Sequence, residues 1–198
     1  MPWAEAGGGA HLRDVHPIEQ PAAKVAFYAL LAVITSLFLL FFTAYNMRMN
    51  PSHGGDWHSV AEPGLLWLNT GLLIISSVAM QWAKSLAKQD NRQKLFLALV
   101  CGGLLTVAFL IGQLVAWKQM QASGQYSLVN PASAFFYLLT AVHGFHLIGG
   151  LVVWGLTLSK IKAEVPVQSL RLTVELCSVY WHYLLVVWLL LFALLVST

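Results

Sequence analysis

Three histidines and one glutamate carry nearly all the ionisable chemistry in the apolar part of this chain: His143, His146, Glu175 and His182. His143 and His146 stand three residues apart, so on a helix they are neighbours one turn along the same side. Glu175 and His182 stand seven apart, which returns to almost the same helical face after two turns. Such groups could do three kinds of work. They could hydrogen-bond between helices and fix packing. They could relay protons or hold a lipid headgroup, with Glu175 as the acid. They could ligate a metal or a haem iron through the imidazoles. The spacing alone leaves all three open. Hydrolytic and phosphoryl-transfer motifs are absent: there is no GxSxG, no Walker loop and no HExxH.

The elements that must position these groups are long and apolar. Five stretches, roughly 25–47, 64–82, 95–117, 131–158 and 172–196, are each long enough to cross a hydrocarbon core, which takes about 20 helical residues. Hydrophobic residues make up 58% of the chain and charged ones 10%, well below the roughly 25% of a soluble domain, so a soluble fold is excluded. The expectation is all-α: a polytopic five-helix bundle over residues 24–198, preceded by a flexible cytoplasmic tail over 1–23. The first stretch is too long for a cleaved signal peptide and lacks a small-residue cleavage site. Within lipid, ionisable side chains should face a protein interior, because exposure there costs several kcal/mol.

Charge sets the orientation. Arg13 and Lys24, then Lys84, Lys88, Arg92 and Lys94, then Lys160, Lys162 and Arg171 fall on one side; only Arg48 and Lys118 fall on the other. By the positive-inside rule the N-terminus is cytoplasmic and the C-terminus is outside. The net charge of +3 is therefore a topology signal, and no nucleic-acid partner is expected. Cys101 and Cys177 both lie within spans and read as buried thiols. With no CxxC and no CxxCH, neither a cysteine zinc site nor covalent haem is suggested. Asn130-Pro131 reads as a helix start. Tyr45, Trp67, Trp82, Trp117 and Tyr126, near span ends, read as interfacial anchors. Asn69, Gly149 and Gly150 are candidate helix-packing positions, since small residues let helices approach closely in lipid.

Depth refines the polar set. At 1.5 Å per residue, His146 lies about 18 Å and His182 about 15 Å from the inner boundary, with Glu175 about 5 Å deep. The short inner loop favours antiparallel contact between spans four and five, so His146 and His182 are expected to meet.

Phe135-Phe136 followed by His143-Gly144-Phe145-His146 and Gly149-Gly150 resembles the HGxHxxxG helix of haem–copper oxidase subunit III. Glu175, Tyr180-Trp181-His182-Tyr183 and Val187-Trp188 resemble that family's final helix, E…YWHFxDxVW. Asn69-Thr70, Leu73 and Ser76-Ser77 match NTxLLxxSS, and Gln113 with Trp117 fits Q…EW. The resemblance covers almost all of residues 25–198 and looks like the five-helix short form. Three acids usual in the family are replaced here, by Ile34, Ala116 and Leu185. The lipid-binding or proton-antenna roles attributed to those acids therefore have no side chain to carry them.

The resemblance implies a non-catalytic subunit III of a respiratory terminal oxidase in the bacterial plasma membrane, with no active site of its own. Haem and copper would sit on partner subunits, not on this chain. The implied partners are subunit I, other oxidase subunits and membrane phospholipid. Two alternatives stand beside it: an accessory subunit of a nitric oxide reductase, and an independent membrane cytochrome or metal protein built on the three histidines. The charge bias makes a direct prediction. Alkaline phosphatase fused to the C-terminus should be active and a cytoplasmic reporter there silent; the reverse pattern would refute the five-span topology.

Overall fold

The computed structural model describes residues 19–49, 64–122 and 130–197. Five helices account for nearly all of them: α1 (Glu19–Met49), α2 (Leu65–Lys88), α3 (Arg92–Ala122), α4 (Pro131–Lys162) and α5 (Val167–Val196). All five are long and apolar enough to cross a membrane. The helices outrun their apolar stretches at several ends; α1, for example, begins at Glu19 instead of residue 25. A helix satisfies its own backbone regardless of side-chain polarity, so hydropathy marks the lipid-contacting part and not the end. The expected tail up to residue 18, the loop 50–63 and Tyr126 lie outside the described residues.

Two tight turns set the topology. Between α2 and α3 the chain reverses through Gln89, Asp90 and Asn91. Asp90 adopts φ 60°, a left-handed conformation that closes helices, and the Asn91 side chain caps α3 by accepting from the Lys94 amide at 3.1 Å. The α4–α5 turn repeats the device with Glu164 at φ 60°. At the start of α4, Asn130 Oδ1 accepts from the Ala132 amide at 3.1 Å, with Pro131 in the first turn, as the sequence suggested.

Helices α2, α3, α4 and α5 form a closed ring, each packed on the next and α5 returning to α2. The α2–α3 face is the most extensive. Helix α1 leans on α4 and α5 from outside: only 11% of its apolar window is buried, against 33–44% for the others. One apolar core lies toward the ends of α1, α3 and α5 that carry Tyr45, Met120 and Phe192, and a second toward the turns, around Met80, Leu99, Ile161 and Leu170. The basic residues Lys84, Lys88, Arg92, Lys94, Lys160, Lys162 and Arg171 all sit at the turn end.

Glycine placement explains the closest approaches. A Cβ at Gly103 would lie 2.1 Å from the Trp154 ring, and one at Gly112 would lie 2.1 Å from Asn69 Oδ1. Asn69 is thus a packing residue, seated on the α3 backbone. Gly150 likewise receives Tyr180 and Trp181. Gly149 does not pack: nothing lies within 4 Å of where its Cβ would be, because one residue along a helix turns the side chain by about 100°. Cys101 is exposed, contrary to expectation, while Cys177 is buried; both are free. The Gly103 contact yields a test. Gly103→Ala should displace Trp154 and break its indole bond to the Leu99 carbonyl (2.8 Å), lowering stability by about 1–3 kcal/mol in a detergent unfolding titration. No loss would mean that the ring is not held there.

Candidate functional site

The four ionisable residues fall in two separate parts of the bundle. Glu175 and His182 share one face of α5, as their spacing requires, and that face meets α2. Lys84 Nζ stands 3.3 Å from a Glu175 carboxylate oxygen. Ser178 donates to Gln81 Oε1 at 3.3 Å, and the same oxygen accepts from His182 Nε2 at 3.2 Å. His182 Nδ1 then faces the Ser77 hydroxyl as acceptor. Down α2 the partners run Lys84, Gln81, Ser77; up α5 they run Glu175, Ser178, His182. Steps of three and four match on both helices, as antiparallel neighbours must. With Lys84 a quarter exposed and Glu175 nearly half exposed, the ion pair contributes little, about 0–1 kcal/mol.

His143 and His146 lie elsewhere. His143 is fully buried in a box of rings, 5.2 Å from Trp188, 6.0 Å from Phe109 and 6.5 Å from Phe38 between centroids. His146, three residues on, is half-buried beside Phe38 at 5.5 Å, and its Nδ1–H donates to the Val142 carbonyl at 2.7 Å. Its own carbonyl accepts from the Tyr180 hydroxyl at 3.0 Å.

The expected meeting of His146 with His182 does not occur. Matched depth was correct for the two helices, but azimuth decides contact. Tyr180 is the α5 residue that faces α4; two residues further on, His182 has turned by about 200° and faces α2. Sequence reasoning missed Ser77, Gln81 and Lys84 as partners. Their i, i+4, i+7 spacing was visible, but nothing in the chain order makes α2 a neighbour of α5. Of the expected anchors, Trp67 and Trp82 are exposed at span ends, whereas Tyr45 is buried and Trp117 bonds to Thr140 at 3.0 Å.

A groove of about 510 Å³ opens between α1, α4 and α5. Phe27, Ile34, Phe145, Val153 and Leu176 make its walls apolar, and His146 and Gly149 border it. Among the described residues, no three His, Cys, Asp or Glu side chains gather as metal ligands.

A bundle of five helices, each long and apolar enough to cross a membrane, defines a multi-pass membrane protein. The sequence comparisons then make the family specific. Residues 20–197 match the family described as cytochrome c oxidase subunit III, and the chain belongs to that family. It is 27% identical over 208 positions to a probable cytochrome c oxidase subunit 3 of Nocardia farcinica, covering 94% of this chain and 93% of that protein. Similarity to cytochrome bo(3) ubiquinol oxidase subunit 3 of Buchnera aphidicola is 26% over 159 residues, 79% of this chain and 81% of the relative. Against cytochrome c oxidase subunit 3 of Yarrowia lipolytica it is 27% over 173 residues, 82% of this chain but only 63% of the longer protein.

The α2–α5 seam predicts which residue is coupled to His182. A double-mutant cycle should give His182 and Gln81 an interaction of roughly 0.6–1.7 kcal/mol and His182 with His146 none. Coupling confined to the two histidines would contradict the observed azimuth.

Proposed function

We propose that this chain serves as the non-catalytic subunit III of a respiratory haem–copper terminal oxidase in a bacterial plasma membrane. In that role it packs on the subunit that carries haem and copper, steadies it and holds lipid. The carrying observation is the family match over residues 20–197, which runs through all five helices and the polar α2–α5 seam. The relatives' names include oxidases of cytochrome c and of ubiquinol, so the assembly would take electrons from one of these donors.

Two features of the chain support the details. Its polar intramembrane groups are for the most part engaged in holding helices together, which leaves the chemistry to a partner. Its groove between α1, α4 and α5 has the volume and apolar lining to accept a phospholipid acyl chain. Ala23 on α1 and Leu172 on α5 line its turn end, and Lys24 follows Ala23 in the chain, on the side where a headgroup phosphate would lie.

Purification in mild detergent tests the reading. Subunit I of a terminal oxidase should accompany the chain, with phospholipid detected by native mass spectrometry. His146→Ala should leave haem and copper per subunit I unchanged. A nitric oxide reductase as the accompanying enzyme, or a Soret band belonging to the isolated chain, would overturn the assignment.

A further inference from the structure

Three side chains in the centre of the ring are buried without any protein hydrogen-bond partner. They are Asn69 on α2, Gln113 on α3 and His143 on α4, with both polar atoms of each unpaired. Their exposures are 1%, 5% and 0%. Most other buried polar groups nearby are satisfied. Thr70 donates to the Leu66 carbonyl and accepts from Trp188 Nε1, and Thr140 donates to the Phe136 carbonyl and accepts from Trp117 Nε1. The three orphans are therefore a local exception, not a general looseness of packing.

They also share one level of the bundle. Asn69 rests against Gly112, the residue before Gln113. The His143 ring contacts Phe109, one turn before Gln113, and Trp188, whose indole donates to Thr70 beside Asn69. Rings of Phe38, Phe109 and Trp188 surround the imidazole and separate it from lipid.

The chemistry of the set restricts what can serve it. Each carboxamide presents an acceptor and donors, and a neutral imidazole presents one of each. A metal cation would answer only the acceptors, and a single imidazole with two amides is a poor donor set. An acyl chain answers none. A ligand that donates and accepts, and is small enough to sit among packed helices, is water. We propose that α2, α3 and α4 enclose a structural water site, in which one or a few molecules join Asn69, Gln113 and His143. The site lies inside the chain and does not depend on which electron donor or oxidase partner the assembly uses.

Leaving a donor or acceptor unpaired in this interior is the alternative, and the sign of a substitution separates the two. If the groups are dry, replacing one with an apolar side chain removes a buried unpaired group and stabilises the chain. If water bridges them, the same change strands the remaining partners. The experiment uses the full chain in phospholipid nanodiscs. Gln113→Met and Asn69→Leu should each lower the folded-to-unfolded ratio on the order of 10-fold in a detergent titration. The triple variant N69L/Q113M/H143F should lose less than the three single losses combined.

Water-edited solid-state NMR on the unaltered chain supplies a second readout. The His143 ring nitrogens and the Gln113 amide, assigned by difference from H143F and Q113M, should receive magnetisation from water despite full burial. Stabilisation by each single substitution would overturn the proposal. So would destabilisation without a water signal at His143, since that result means direct pairing between the side chains.

Discussion

Lipid offers no hydrogen bonds, and the architecture of the ring follows from that constraint. A donor that enters the hydrocarbon must find its acceptor within the chain or in an enclosed water. Four tryptophans meet the requirement while also supplying the largest packing surfaces. Trp117 on α3 donates to Thr140 on α4, and Trp154 on α4 donates back to the Leu99 carbonyl on α3. Trp181 on α5 reaches both Ser76 on α2 (3.1 Å) and Thr106 on α3 (2.9 Å), and Trp188 reaches Thr70 (3.0 Å). Each indole places a wide apolar ring against a neighbour and ends in one N–H, so dispersion and directionality are delivered together. Helix association in lipid depends on this pairing of close packing with hydrogen bonds, since burial from water contributes nothing there.

The ends of the helices pose the same problem in a different form, because their last carbonyls have no intrahelical partner. At the turn end, arginines cross from one hairpin to the other to reach them. Arg171 on α5 donates to the Ala87 carbonyl at 3.0 Å and to the Lys88 carbonyl at 3.3 Å, while Arg92 on α3 donates to the Val165 carbonyl. Gln168 adds a bond to Asp90. A planar guanidinium presents several donors in a fixed fork, which a lysine cannot do. The basic residues that signal topology in the sequence thus divide by type. The arginines of this end staple the two turns, and lysines such as Lys88 and Lys160 stay on the exposed surface.

Spans and turns were legible in the sequence because they depend on local chemistry. The five helices, the Asn130-Pro131 start and the shared face of Glu175 and His182 all follow from periodicity and capping. Azimuth between helices was not legible. His146 and His182 sit at compatible depths, yet they face different neighbours, and depth says nothing about rotation. Gly149 and Gly150 look equivalent as letters, but only Gly150 lies beneath Tyr180 and Trp181. Trp117 and Tyr45 sit where interfacial anchors belong and turn inward instead. In each case the deciding information is which helix stands beside which, and in a ring closed by α2 against α5 that adjacency skips two elements of the chain.

The three positions where the family resemblance places acids show how consistent the substitutions are with their surroundings. Ile34 is buried at the groove wall, Ala116 is fully buried in the core, and Leu185 packs on the same core from α5. A carboxylate buried at any of them would need a partner, at a penalty of several kcal/mol if it found none. The consequence falls on the groove: with Ile34 in its wall, little beyond His146, Thr173 and the Tyr180 hydroxyl is polar, and that hydroxyl is already committed to the His146 carbonyl. The groove is thus lined almost wholly by apolar side chains, while most basic residues of the bundle stand at its turn end.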